Sequence, residues 1–173
     1  MSGALIVTAD LAPADFAWLD ALRRRHYPPE RNGLPAHLTM FHALPPSAEA
    51  EIRGELRRHA AARAPRAILA GLMNLGTGVA FRIVSDDLEA IRADLADHCH
   101  GLLGAQDHAG WRPHVTVQNK VQPSAARALR AVLEKDFRSR PLGISGLALH
   151  RYLGGPWEPI ARYAFLGNKG PNL

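Results

Sequence analysis

Two four-residue strings, His37-Leu38-Thr39-Met40 and His114-Val115-Thr116-Val117, each set an imidazole and a hydroxyl two residues apart inside an apolar run. In an extended strand residues i and i+2 share a face, so each string offers a His-Thr pair on one side and sends its aliphatic residues to the other. An imidazole exchanges a proton near neutral pH, and a hydroxyl can donate to an oxyanion. Two such pairs across one cleft would supply a base for an attacking oxygen, an acid for a leaving oxygen, and two donors for oxygens that gain charge. Cleavage of a phosphodiester or a cyclic phosphate needs those four groups and, in principle, no metal.

Chance does not account for the strings: random placement of nine histidines and four threonines gives roughly 0.2 His-x-Thr triplets in a chain of this composition. The two histidines lie 77 positions apart, and the same offset aligns their surroundings without a gap. Gly33 falls on Gly110, Pro46-Ser47-Ala48 on Pro123-Ser124-Ala125, Arg53 on Arg130 and Leu56 on Leu133. Upstream, Ile6-Val7-Thr8-Ala9-Asp10-Leu11 falls on Ile83-Val84-Ser85-Asp86-Asp87-Leu88. The chain therefore reads as a duplicated unit, with lobes at about 4–80 and 81–157 and a short C-terminal tail from Asn168 to Leu173 expected to be disordered. Two symmetry-related polar pairs on otherwise apolar strands would be costly to bury without a use.

The elements that must carry these pairs follow from the apolar periods. A strand is expected over 4–9, then a helix from Pro13 to about Arg25 with Phe16, Leu19 and Leu22 on its apolar face. The first histidine strand spans 36–44 and stops at Pro45-Pro46, where Ser47 is the expected N-cap of a helix to about Ala62. Strands at 66–74 and 78–85 flank the Gly76-Thr77-Gly78 turn as a hairpin. A helix from Asp87 to about Leu103, the second histidine strand at 113–121, a helix from Pro123 to about Phe137, and strands near 142–150 and 160–166 complete the chain. Strands interleaved with helices make this α+β, a single domain over 1–173 built of two similar sheet-and-helix lobes.

Composition is that of a soluble globular protein, with 47% hydrophobic and 21% charged residues. The N-terminus shows neither a signal peptide nor a membrane span, so a cytoplasmic location is expected. Cys99 is the single cysteine, which rules out an internal disulfide and a cysteine metal cluster. Its position late in a helix makes it a poor nucleophile. The net charge of +5 and a pI near 10.0 favour anionic partners such as nucleotides or RNA.

Taken together, the paired His-x-Thr-hydrophobic strings resemble the signatures of the two-histidine phosphoesterase superfamily, and within it the 2′-5′ RNA ligase and RNA 2′,3′-cyclic phosphodiesterase group. The resemblance extends to the Pro35-Ala36 before the first histidine, the Arg112-Pro113 before the second, and the Gly154-Gly155-Pro156-Trp157 loop. It implies a bilobal fold of two antiparallel sheets with flanking helices around a central cleft. It also implies metal-independent chemistry, with no cofactor, on RNA or nucleotide 2′,3′-cyclic phosphates and on 2′-5′ linkages, leaving a 2′-phosphate. His37 and His114 would then be the acid-base pair, and Thr39 and Thr116 the phosphate clamps.

Other residues are candidates for substrate binding. Arg31 and Asn32, in the loop before the first histidine strand, are placed to reach a phosphate, and Arg151, Tyr152 and Trp157 form a cationic and aromatic group suited to stacking a base. His42, five residues beyond His37, falls on the opposite face of a regular strand and is expected to be peripheral. The expected partners are RNA ends or nucleotide cyclic phosphates, bound by a monomer without a membrane. The rival readings are a metal-dependent hydrolase, for which no His-Glu-x-x-His string is present, and a non-catalytic RNA-binding module.

Overall fold

The computed structural model describes residues 3–167, which form eight strands and five helices; all but α4 and β6 follow the apolar periods of the sequence. The order is β1 (Ala4–Leu11), α1 (Pro13–His26), β2 (Leu38–Leu44), α2 (Glu49–Ala60), β3 (Ala67–Asn74), β4 (Val79–Val84), α3 (Asp86–His98), α4 (Ala105–His108), β5 (His114–Gln118), α5 (Pro123–Asp136), β6 (Arg140–Leu142), β7 (Ile144–Tyr152) and β8 (Glu158–Ala164). The expected tail at 168–173 lies outside the described residues. Two four-stranded sheets, both fully antiparallel, have strand orders β2-β1-β7-β8 and β5-β4-β3-β6. The fold is α+β.

The two sheets do not coincide with the sequence units 4–80 and 81–157. At the 77-residue offset β1 matches β4 and β2 matches β5, and each sheet has such a pair at one end. The third strand is exchanged: β3, from the first unit, pairs with β4, whereas β7, which follows the second histidine helix, pairs with β1. The tight β3–β4 hairpin enforces this exchange, because it ties the end of one unit to the start of the next. Gly76 has φ 80° there, in the left-handed region that glycine enters without steric cost. At Gly78 a Cβ would stand 2.0 Å from the carbonyl oxygen of Gln118, so the hairpin can close against the end of β5 only without a side chain.

One continuous core joins the sheets. Leu5, Val7, Leu38, Met40 and Phe41 from the first pack in the same cluster as Leu69, Phe81, Ile83, Val115 and Val117 from the second. Burial of each such side chain is worth about 1.5–3 kcal/mol, so the aliphatic faces of both histidine strands anchor them firmly.

Element ends differ from expectation at three places. The helix from Asp87 stops at His98, because Gly101 takes a φ of 79° and the chain turns before the single turn of α4. Its start is fixed by Ser85, whose Oγ accepts from the Leu88 amide and donates to the Arg66 carbonyl. Ser47 caps nothing; it lies within a 3-10 turn, Pro46–Ala48, that leads into α2. The three-residue β6 was not expected, and its Pro141 is tolerated on a sheet edge.

Candidate functional site

His37 sits immediately before β2, and His114 opens β5. The two imidazoles are held alike. His37 Nδ1 is 2.8 Å from the carbonyl of Pro35, and His114 Nδ1 is 2.6 Å from the carbonyl of Arg112. A carbonyl can only accept, so Nδ1 carries the proton in each ring and donates it backward along the chain. That leaves Nε2 as the atom each ring presents to a reactant. Pro35 and Arg112 lie two residues before their histidines, so the same local geometry fixes both tautomers.

His37, Thr39, His114 and Thr116 line one cavity of about 310 Å³ between the two sheets. Desolvation in this cleft pushes the His37 imidazole down to about 4; its bond to Pro35 opposes the shift, and the charges of Arg23, His114 and His150 reinforce it. His37 is therefore neutral near pH 7, with a free Nε2 lone pair.

The strands behind the two threonines are pinned by side chains from elsewhere in the chain. Trp111 Nε1 donates to the Thr39 carbonyl at 3.0 Å, and Arg92 on α3 donates to the carbonyls of Met40 and Asp107. The Arg92 guanidinium lies 4.6 Å from the centre of the Phe41 ring. On the other strand, the buried Arg23 of α1 donates to the Thr116 carbonyl. These positioning groups leave no local sequence signal, because each acts on a strand remote from its own element.

A second cavity of about 510 Å³ adjoins the first, and His37 and Trp157 line both. Trp157 stands edge-on to His37, with ring centroids 4.8 Å apart at 63°, and 5.5 Å from His150. Within the larger cavity Thr8 Oγ1 and His150 Nε2 are 3.0 Å apart, a third imidazole-hydroxyl pair. Burial, aided by the Arg162 charge and opposed by Asp10, lowers the His150 pKa. Because 142 residues separate Thr8 from His150, no spacing could reveal this pair.

Of the substrate-binding candidates, Trp157 alone lines these cavities. Arg31 is exposed in the 3-10 turn Pro29–Arg31 and lines neither. Asn32 accepts from Arg23 Nε at 2.8 Å and so braces the buried arginine. Arg151 is paired with Glu49 at 2.6 Å, and Tyr152 is exposed at the end of β7. Loop proximity in sequence did not carry these side chains into the cleft.

His42 is the reverse case: it lines the smaller cavity with Thr39. β2 is not regular. Val7 of β1 faces Phe41 and Thr8 faces Thr39, so Met40 is an extra residue, and Met40 and Phe41 are buried in succession. Such a bulge inverts the alternation beyond it and returns His42 to the cleft side. Its ring and backbone are gripped by Asp107 of α4, whose buried carboxylate accepts from His42 Nδ1 at 3.0 Å and from the amides of His42 and Ala43. Burial alone would raise the Asp107 pKa, but these three donors outweigh it and hold the carboxyl below its ordinary range.

Elsewhere, Glu55, His59 and Asp94 bring possible metal-ligand atoms together at the contact of α2 and α3, outside both cavities. Their carboxylates already hold the guanidinium of Arg58. Cys99 is buried at the end of α3, where desolvation, then Glu51, raises its thiol pKa. No described helix is long and apolar enough to cross a membrane.

No curated protein sequence is similar enough to the chain to count as a match. Solved structures are similar in fold. TT0787 of Thermus thermophilus aligns with a TM-score of 0.63 at 18% identity, covering 95% of this chain and 99% of its own. E. coli LigT complexed with 3′-AMP aligns with a TM-score of 0.57 at 18% identity, covering 96% and 99%. LigT complexed with ATP gives 0.54 at 19%, covering 95% and 98%. The family described as the 2′-5′ RNA ligase superfamily matches residues 11–156, a span that contains both His-x-Thr pairs, the whole β5-β4-β3-β6 sheet and strands β2 and β7 of the other, and the chain belongs to that superfamily.

Proposed function

We propose that this protein is a phosphodiesterase that opens 2′,3′-cyclic phosphates of RNA ends or nucleotides, and acts on 2′-5′ linkages, by proton transfer between His37 and His114 without a metal. One observation carries the reading: two imidazoles with identically fixed tautomers share a cavity with two threonine hydroxyls. The LigT structures complexed with 3′-AMP and ATP support a nucleotide as the occupant of such a cleft.

In the proposed reaction a phosphorus sits between the two Nε2 atoms. His37, kept neutral by burial, takes a proton from water as its oxygen bonds to phosphorus. His114, which enters the step with a second proton taken from solvent at Nε2, gives that proton to the departing 3′ oxygen as the P–O3′ bond breaks, so the product carries a 2′-phosphate and a 3′-hydroxyl. Thr39 and Thr116 donate to the non-bridging oxygens, whose charge grows toward the transition state. Proton transfer then resets the pair through solvent.

The test is incubation with the four nucleoside 2′,3′-cyclic monophosphates and a short RNA ending in a cyclic phosphate, with EDTA present. Turnover of at least one substrate under chelation is expected. Activity that is lost with EDTA and restored by Zn²⁺ or Mn²⁺ would overturn the metal-independent reading, and binding without turnover would favour a recognition module.

A further inference from the structure

The smaller cavity carries more positive charge than one phosphate requires. Besides the two histidine-threonine pairs its wall includes His42, Arg92 and Arg112, and none of the described side chains lining it is a carboxylate. Arg92 spends its Nε and one terminal nitrogen on backbone carbonyls. Arg112 is exposed and forms no ion pair among the described residues. His42 is the member whose orientation is built into the fold.

Three constraints define that orientation. The Asp107 side chain is 1% exposed, and its carboxylate holds the His42 amide, the Ala43 amide and His42 Nδ1 at once. An ionised carboxylate only accepts, so Nδ1 is the donor and the far ring nitrogen, Nε2, is left on the cavity side. The His42 side chain remains 38% exposed, open to a ligand rather than packed away. Along β2 it stands three residues beyond Thr39, one of them taken up by the bulge, so about 7 Å of strand separates the two positions, further than the oxygens of a single phosphate span.

We propose that His42, positioned by Asp107, anchors a second phosphate of the substrate, the one on the 5′ side of the nucleoside that bears the reacting phosphate. The cleft then favours RNA ends and 5′-phosphorylated nucleotides over cyclic phosphates of bare nucleosides. When the phosphate arrives, His42 takes a proton from solvent at Nε2 and donates it in a charge-assisted hydrogen bond, with Arg92 and Arg112 adding to the field. Asp107 is a positioning residue in this account. The identity of the first phosphate rests on the proposed phosphodiesterase reading; the second site does not require turnover.

The experiment separates the two claims. Calorimetry compares a nucleoside 2′,5′-bisphosphate with the corresponding 2′-monophosphate, and kinetics compares the 2′,3′-cyclic phosphates with and without a 5′-phosphate. The native protein should prefer the 5′-phosphorylated member of each pair by about tenfold or more, as expected for one charge-assisted bond. In His42→Gln both ratios should fall toward one, and His42→Lys, which returns a cation, should recover part of the binding ratio. A native ratio near one, a preference that survives His42→Gln, or no binding of either ligand would overturn the second site. A bisphosphate preference with no turnover of either cyclic phosphate would leave it standing and overturn the phosphodiesterase reading.

Discussion

Arg23 of α1 donates from its guanidinium to the main-chain carbonyl of Thr116 on β5, at 3.0 Å, so a buried cation on the helix between two strands of the first sheet holds the strand that presents the second sheet's hydroxyl. The same side chain donates to Asn32 and lies 4.3 Å above the centre of the Tyr27 ring. Desolvation lowers its pKa, opposed by Tyr27 and Asp20, and its charge in turn helps to keep His37 neutral. Arg23→Met should therefore cost about 2–4 kcal/mol, since it leaves Thr116 and Asn32 without their donor. Denaturant unfolding measures that loss. The acid limb of the kcat/KM profile should also move up in pH, which a purely structural role would not produce.

His37→Ala and His114→Ala should each lower turnover of a cyclic phosphate by about 10² or more, because each removes one partner in the proposed proton transfer. The double variant should be little worse than the weaker single one, since the two act as a unit. Steady-state kinetics on variants with native circular dichroism decides the matter; native-like rates in either single variant would exclude the mechanism.

The His37 imidazole, lowered from 6.5 to about 4, sets the expected pH dependence. As the proposed base it must be unprotonated, so the acid limb of kcat/KM should lie well below 6.5 and close to 4. Stability has a matching signature. The unfolded chain takes up the proton first, so what neutral His37 contributes is fully present above about 6.5 and is lost progressively as pH falls from there to about 4. Unfolding measured between pH 4 and 7 should show a shallower slope in His37→Gln than in the native protein.

Trp157 lines both cavities beside His37, and under the proposed function its ring would stack a base. Trp157→Ala should weaken nucleotide binding by roughly 5- to 150-fold, the range of about 1–3 kcal/mol per stacked base. Trp157→Phe should recover most of it. Titration of a nucleotide followed by tryptophan fluorescence reports both affinity and the loss of the quenched signal.

If the two Nε2 atoms flank one phosphorus, attack and departure must be in line, and a fixed cleft opens the ring in one direction only. Phosphorus NMR of the product from a 2′,3′-cyclic mononucleotide should show the 2′-phosphate alone. A pure 3′-phosphate would reverse the assigned leaving oxygen while keeping the two-histidine mechanism, whereas an equal mixture would count against a preorganised pair.

Sequence alone determined the parts whose causes are local. The strand period of two placed His37 with Thr39 and His114 with Thr116, and the 77-residue offset matched β1 with β4 and β2 with β5. Pro and Gly punctuation set most element ends. Tertiary structure decided everything that depends on partners far along the chain. Strand pairing is non-local, so only the fold shows that β3 and β7 are exchanged between sheets. The bulge at Met40 exists only against β1, and it alone turns His42 from the expected far face into the cleft. Arg151 lies near Trp157 in sequence, yet it is taken by Glu49, because an ion pair across 102 residues outweighs adjacency along the chain. Thr8 and His150 meet for the same reason: local backbone geometry sets which way a side chain points, but the packing of remote strands sets what it meets there.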